Sequence, residues 1–170
     1  MEQIILINPE DVTLQEAEQY SVREAARAIV FDDNKLVALL HATKYDYYKL
    51  PGGGIEKGES PEVAMKRECL EEIGCEVEII ADLGTILEYR KKYMLRQRSY
   101  CYITRLVGNK GTPNLMDDEV EEGFETVWLS LEEALKRVCG SSIKVYEAQY
   151  MVARDKAFLE AVNMNVIPFE

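Results

Sequence analysis

Residues 53–75 read GGIEKGESPEVAMKRECLEEIGC, and the reading of the chain turns on them. Ser60-Pro61 opens a helix. Serine suits the N-cap, and proline, lacking an N–H, suits the first helical position, where that group has no partner anyway. Gly74 ends it, because glycine takes the left-handed conformation just past a helix without strain. Inside the helix Glu68, Glu71 and Glu72 stand at i, i+3 and i+4. At 3.6 residues per turn all three share one face. Their mutual repulsion costs about 0.2–0.5 kcal/mol per pair, and they crowd the end of the helix where the macrodipole already disfavours anions. A cation relieves both penalties, and hard carboxylate oxygens suit Mg²⁺ or Mn²⁺ better than Zn²⁺.

Just upstream, Pro51-Gly52-Gly53-Gly54 reads as a loop. Glycines let the backbone approach a ligand closely and take positive φ. The peptide groups of such a loop can offer carbonyls to a metal or N–H groups to a phosphate. No Gly-Lys-Ser/Thr follows, so this is not a P-loop. Taken singly, an acidic helix face is usually a solvated surface and a glycine run usually a turn. Side by side, they describe a place for a metal–diphosphate complex.

Further out, residues 2–7 read as a short strand, and Arg27–Phe31 and Leu36–Leu40 as a hairpin turned by Asp32-Asp33-Asn34-Lys35. Strand character recurs over Cys75–Ile80, Gly84–Arg90, Arg98–Leu106 and Glu125–Leu129. Gly108–Pro113 reads as a turn or loop. Ser130-Leu-Glu-Glu has the spacing of a capping box and opens a helix to about Val138. A last helix is expected from about Ser142 to Val162, on the spacing of Ile143, Tyr146, Tyr150, Phe158 and Val162. Helices interleave with strands and hairpins, which argues for an α/β (α+β) sandwich rather than an all-parallel sheet.

The stretch 53–75 resembles the Nudix box: G, five residues, E, seven residues, then REUxEExGU with U aliphatic. Here Gly53, Glu59, Arg67, Glu68, Glu71, Glu72 and Gly74 fill every fixed position. Cys69 and Cys75 replace aliphatic residues, and a free cysteine packs as a small hydrophobe. Leu50-Pro51-Gly52 looks like the usual lead-in, and Trp128–Ala134 like the family's later passage from strand to helix. The resemblance implies a Nudix-type α/β/α sandwich, with a mixed β-sheet between helices, forming one domain over residues 1–170.

It also implies divalent-metal-dependent hydrolysis of the diphosphate linkage in a nucleoside diphosphate joined to another group, most simply a (d)NTP. Dinucleoside polyphosphates, nucleotide sugars and a non-catalytic nucleotide-sensing module are the alternatives. By the match, Glu68, Glu71 and Glu72 hold Mg²⁺ or Mn²⁺ with the Gly52 carbonyl. Glu68 positions or deprotonates the attacking water; Arg67 and Glu59 orient the ligands. A later acidic ligand is expected among Asp117, Asp118, Glu119, Glu121 and Glu122, with Glu119 preferred. Gly53 and Gly54 face the substrate. The basic run Tyr89–Arg98 offers Arg90, Lys91, Lys92, Arg96 and Arg98 for extra phosphates; Arg90, Lys92 and Tyr93 are the preferred contacts. Tyr45, Tyr47 and Tyr48 are candidates to stack on a base.

The remaining composition limits partners. Twenty Lys and Arg against 31 Asp and Glu give a net charge of −11, which repels nucleic-acid polymers and anionic membranes but not a small anion escorted by a metal. The expected partner is therefore a small-molecule nucleotide, with a homodimer possible. Cys69, Cys75, Cys101 and Cys139 form no CxxC pair and His41 is the single histidine, which argues against a zinc site. All four thiols are expected to be reduced core residues of a cytoplasmic protein. Ile4–Ile7 is too short for a signal peptide.

Overall fold

The computed structural model describes residues 1–141 and 145–163. Seven strands of these residues form one mixed sheet in the order β1-β5-β6-β2-β3-β4, with β7 also paired to β3. The strands are β1 (Gln3–Ile7), β2 (Ser21–Phe31), β3 (Val37–Ala42), β4 (Tyr47–Lys49), β5 (Glu76–Arg90), β6 (Leu95–Val107) and β7 (Phe124–Leu129). β1 runs parallel to β5 and β2 parallel to β6; the other pairings are antiparallel.

Side chains alternate across β2, as the pleat requires. Ala26, Ala28 and Val30 face α2 (Pro61–Ile73) in a core with Met65, Cys69 and Ile73. Ile29 and Phe31 face the other way, against α4 (Leu131–Gly140) and α5 (Tyr146–Glu160). The small alanines let α2 lie close to the sheet. Two further helices are short: α1 (Leu14–Ala17) and α3 (Asp117–Glu122). The result is the α/β/α arrangement expected.

The hairpin at residues 32–35 forms, but it holds β2 to β3 only through Phe31 and Val37. Beyond that point the two strands part. The free edge of β2 is taken up by the glycine loop: Ala28 N donates to Pro51 O, Ala26 N to Gly53 O and Ile55 N to Glu24 O. This places the loop between β2 and the catalytic-type helix.

Several expectations are corrected. β2 starts at Ser21 rather than Arg27, because the parallel ladder with β6 carries its exposed end, Ser21 pairing with Leu95. The two strands expected over 75–80 and 84–90 are one strand, β5, with register shifts near residues 80 and 83. Gly84 lies within β5, and a Cβ there would fall 2.8 Å from the Ile4 side chain, so it makes room for β1. Ser130 caps α4 by accepting from Glu133 N, but the reciprocal half of the expected box is missing, since Glu133 binds Arg137 instead at 2.7 Å. α4 also runs on to Gly140. α5 begins at Tyr146 in the described residues; Ser142, Ile143 and Lys144 lie outside them. Of the four free cysteines, Cys69, Cys75 and Cys101 are core residues, while Cys139 is exposed on the last turn of α4. No helix among the described residues is long and apolar enough to cross a membrane.

Candidate active site

The helix that carries the three glutamates is fixed at both ends as its sequence requires. Ser60 accepts from Val63 N at 3.3 Å, Pro61 follows it, and Gly74 sits at φ 65°. The segment after β6 folds over the C-terminal end. Asn114 N donates to the Glu71 carbonyl at 2.7 Å, and a Cβ on Gly74 would collide with the Thr112 backbone.

Arg67 gathers the site. Its Nε donates to Glu59 Oε1 at 2.9 Å, and Nη2 to Glu59 Oε2 and to the Gly54 carbonyl, each at 3.0 Å. Its Nη1 reaches Glu68 Oε1 at 2.8 Å and Glu71 Oε2 at 3.1 Å. One guanidinium thus joins the helix, the 54–59 turn and the glycine loop, a geometry its rigid fork of donors suits. The Glu59 carboxyl is held down to about 2 by Arg67 first and by the Glu56 N–H second. Arg67 is raised by the same partner. Glu68 and Glu71 each give one oxygen to Arg67, which leaves the other for a cation. Burial, and then the charge of Glu72, push the Glu68 carboxyl up.

Glu72 is the most buried of the three, with its side chain 3% exposed. It accepts from Gly52 N at 2.6 Å and from Lys49 Nζ at 3.1 Å. Lys49 in turn lies 4.5 Å from the centre of the Phe124 ring. Gly52 must be glycine: its φ is 133°, and a Cβ would fall 2.1 Å from the Ala26 carbonyl oxygen. Gly53 must be small for a different reason, because its Cβ would meet a Glu68 oxygen at 2.2 Å. Gly54 has more room and faces Arg23, whose Nη2 would lie 3.5 Å from a Cβ there. The carbonyls of Pro51, Gly53 and Gly54 all accept hydrogen bonds, whereas no donor reaches that of Gly52 among the described residues.

Of the five acidic residues at 117–122, four look elsewhere or show no tie to the site. Glu121 pairs with Lys44 at 2.9 Å and Glu122 accepts from Tyr47 at 2.6 Å. Glu119 alone is drawn to Glu72, close enough that the two carboxyls interact; burial and that neighbour raise it. Its other contact is with Met116 N at 2.9 Å.

The residues expected to meet substrate are more dispersed. Arg90 is buried and bound to Glu88 at 2.7 Å, over the Tyr150 ring. Lys92 and Tyr93 sit on the 3₁₀ turn Lys91–Tyr93, against the start of α5: Lys92 lies over the Tyr93 and Tyr146 rings, and the Tyr93 hydroxyl donates to Glu147. None of these contacts involves α2 or the glycine loop. Tyr48 stacks on His41 and Tyr47 packs edge-on to Phe124. The residues the sequence did not single out are Arg23, Arg27, Glu88, Arg154 and Asp155. All are polar: Arg23, Arg27 and Glu88 stand on the sheet, and Arg154 and Asp155 come from α5 packed against it.

The sequence profile of the NUDIX domain matches residues 22–149. The chain belongs to the Nudix family. It is 32% identical over 107 residues to the RNA pyrophosphohydrolase of Sulfurovum sp. (strain NBC37-1), covering 58% of this chain and 68% of that protein. It is 28% identical over 131 residues to diphosphoinositol polyphosphate phosphohydrolase 2 of Rattus norvegicus, covering 75% and 68%. Its fold is shared with a MutT protein from Methanosarcina mazei Go1 at TM-score 0.58 and 17% identity, covering 84% of this chain and 93% of that one. An ADP-ribose pyrophosphatase from Streptococcus suis 89-1591 superposes at TM-score 0.52 and 20% identity, covering 82% and 90%. This Nudix hydrolase is thus MutT-like in fold, and the two relatives are named a pyrophosphohydrolase and a phosphohydrolase. Nudix hydrolases in general need a divalent metal. Among the described residues no three acidic, His or Cys side chains already converge as a cluster for one. The donor set still fits: oxygen ligands only, two carboxylates each with an oxygen to spare, and an open Gly52 carbonyl.

Proposed function

We propose that this Nudix hydrolase cleaves the diphosphate bridge of a small nucleotide, a (d)NTP or a close relative, as one domain over residues 1–170 in the cytoplasm. The observation that carries this reading is the Arg67 fork, which holds Glu59, Glu68, Glu71 and the Gly54 carbonyl together against a loop that only glycine can form. Mg²⁺, or Mn²⁺, would be held by Glu68, Glu71 and the Gly52 carbonyl, with Glu72 and Glu119 completing the acidic wall. The metal supplies neutralisation of the diphosphate charge and a lowered pKa for water.

The chain's own residues do the rest. Glu68 sits against Gly53 and is raised by burial, which suits a group that takes a proton from the attacking water. Arg67 and Glu59 fix the angle of the carboxylates. Glu72 holds the loop through the Gly52 N–H, so the loop and the helix keep their spacing as substrate enters. Little covalent chemistry is asked of the protein, and positioning carries most of the rate.

The test is a panel of dNTPs, ADP-ribose, a dinucleoside polyphosphate and a UDP-sugar, with and without Mg²⁺, reading released pyrophosphate and phosphate. Metal-dependent turnover that Glu71→Gln lowers by orders of magnitude, in a variant that keeps its circular dichroism, supports the assignment. Near-normal turnover in Glu71→Gln would overturn it. Tight nucleotide binding with no turnover would replace it with a sensing role.

A further inference from the structure

Glu72 differs from the other two glutamates of α2 in what its oxygens already hold. Glu68 and Glu71 share the Arg67 guanidinium, one oxygen each. Among the described residues the ion pairs of Arg67 are with Glu59, Glu68 and Glu71, and Glu72 is outside that set. Both oxygens of Glu72 are bonded nonetheless: Oε2 accepts from Gly52 N at 2.6 Å and Oε1 from Lys49 Nζ at 3.1 Å. The first bond ties the helix to the glycine loop. The second brings a positive charge from the last residue of β4 to a carboxylate that is 3% exposed.

Lys49 is placed both to hold that position and to leave it. Its ammonium lies between the Glu72 carboxylate and the Phe124 ring, 4.5 Å from the ring centre, a distance at which an aromatic face attracts a cation. Its charge reaches Glu119 as well: burial and the charge of Glu72 raise that carboxyl, and Lys49 works against them. One ammonium therefore offsets two carboxylates that repel each other. The bond itself is loose. Charge-assisted N–H···O bonds run at about 2.7–2.9 Å. The contact with Lys49 at 3.1 Å is longer than that, whereas the Gly52 N–H holds Glu72 at 2.6 Å. Lys49 is 18% exposed, so water reaches it. An ammonium on a flexible stem regains its hydration when it lets go, a freedom the planar Arg67 fork lacks. Since Oε2 is committed to the loop, a second cation comes most directly to Oε1, where it meets Lys49 and the two like charges repel.

We propose that Lys49 is the resident counter-ion of Glu72, which a divalent metal displaces on binding, so that Lys49 sets how tightly the metal is held. The proposal rests on the metal-dependent hydrolase reading above and deepens it by naming the residue that tunes the metal site. Lys49 acts here as a positioning residue. Without metal it keeps the acidic wall of Glu72 and Glu119 together against its own repulsion. When the metal arrives, the same charge opposes it. A site built this way gains stability in the metal-free protein and gives up affinity for the metal.

The experiment measures Mn²⁺ binding to the whole chain by electron paramagnetic resonance, which counts the free ion, together with Tm in EDTA and in saturating Mn²⁺. Lys49→Met should bind Mn²⁺ about tenfold more tightly than the wild type, because one charge-assisted hydrogen bond no longer has to be broken. Its Tm should fall below the wild-type value in EDTA, and the gap should narrow in Mn²⁺, because tighter binding stabilises the variant more. An ion pair that is only structural would lower Tm equally in both. Lys49→Gln keeps a donor for Glu72 without the charge. It should also tighten binding, and it carries the comparison where Lys49→Met fails to fold. Lys44→Gln makes the same charge change on a lysine paired with Glu121 at 2.9 Å and should leave Mn²⁺ affinity unchanged. Unchanged or weaker Mn²⁺ binding by folded Lys49→Gln, where the wild type binds the ion, overturns the displacement and leaves Lys49 as a strut for Glu72, with the hydrolase reading intact. No Mn²⁺ binding by the wild type or by any variant removes the metal-dependent reading and this proposal together.

Discussion

The two faces of the central sheet each carry an arginine-centred cluster, and the clusters differ in one respect. On the α2 face, Arg67 uses Nε, Nη1 and Nη2 all at once, on two side chains of its helix, one of the turn and one loop carbonyl. On the α5 face, Arg27 uses one nitrogen on a neighbouring carbonyl and leaves a buried Nε bare. A satisfied guanidinium is scaffold: it fixes the geometry of other groups. An unsatisfied one leaves a buried donor whose desolvation nothing offsets. The glycine loop runs between the two, bonded to β2 along one side and to Glu72 through the Gly52 N–H.

The sharpest way to break this comparison is at the partition itself. Gly52→Ala puts a Cβ 2.1 Å from a backbone oxygen at a φ of 133°, and neither can move without displacing β2. The expected loss is about 3–5 kcal/mol of unfolding free energy in urea. A loss below about 1 kcal/mol would show that the loop is not pinned to the strand. Gly53→Ala is the companion: its clash is with the Glu68 carboxylate, the far end of a flexible side chain, so stability should hold while turnover falls.

Next comes the scaffold arginine. Arg67→Ala should lower kcat by roughly 100-fold, the usual cost of removing a group that orients ligating side chains. Arg67→Lys should recover little, because an ammonium cannot span Glu59, Glu68 and the Gly54 carbonyl together. Recovery by lysine to near wild-type rate would reduce Arg67 to a counter-charge and erase the contrast with Arg27.

On the α5 face the strongest tie is Asp155, buried and bonded to both Arg154 and the Leu50 N–H. Asp155→Ala leaves a buried guanidinium and a buried amide without their acceptor, and about 3 kcal/mol should be lost. The measurement is the urea midpoint at constant m-value. Since Leu50 leads directly into Pro51 and the glycine loop, the same variant should also raise KM for nucleotide.

The two faces were unequally legible in the sequence. The α2 face is local: Ser60, Pro61, Arg67, the glutamates and Gly74 fall within 15 residues, and helical period alone puts the carboxylates together. Glu119 was preferred among five acids on resemblance, and the fold alone brings it to Glu72. The α5 face is assembled from β2, β5, β6 and α5, and no spacing along the chain announces that Arg23, Glu88 and Arg154 meet. The basic run at 89–98 drew attention because it is contiguous, yet Lys92 and Tyr93 serve to dock the 3₁₀ turn on α5. One local signal was there to be read and was missed: Thr13-x-x-Glu16 is a true capping box and opens α1, with Thr13 N donating to Glu16 at 2.7 Å. The opposite error was made at Ser130, where Glu133 had a competing partner in Arg137 one turn on.

The smallest expected effect tests how α5 is held over the arginine cluster. Glu10 lies between α5 and the turn after β5, accepting from the hydroxyls of Tyr146 and Tyr150 and from Lys91 N. These bonds, the Tyr146 hydroxyl first, hold its carboxyl below the ordinary value of 4.5. A carboxyl whose pKa falls on folding stabilises the native state above its unfolded value, and that contribution is lost as pH drops through the folded one. Glu10→Gln should therefore lower Tm slightly at pH 7, and the difference from wild type should shrink below pH 4.5 as the wild-type carboxyl takes up its proton. A gap that stays constant with pH would mean that the two tyrosines need only an oxygen to bind. The charge at Glu10 would then play no part in keeping α5 closed over Arg27 and Arg154.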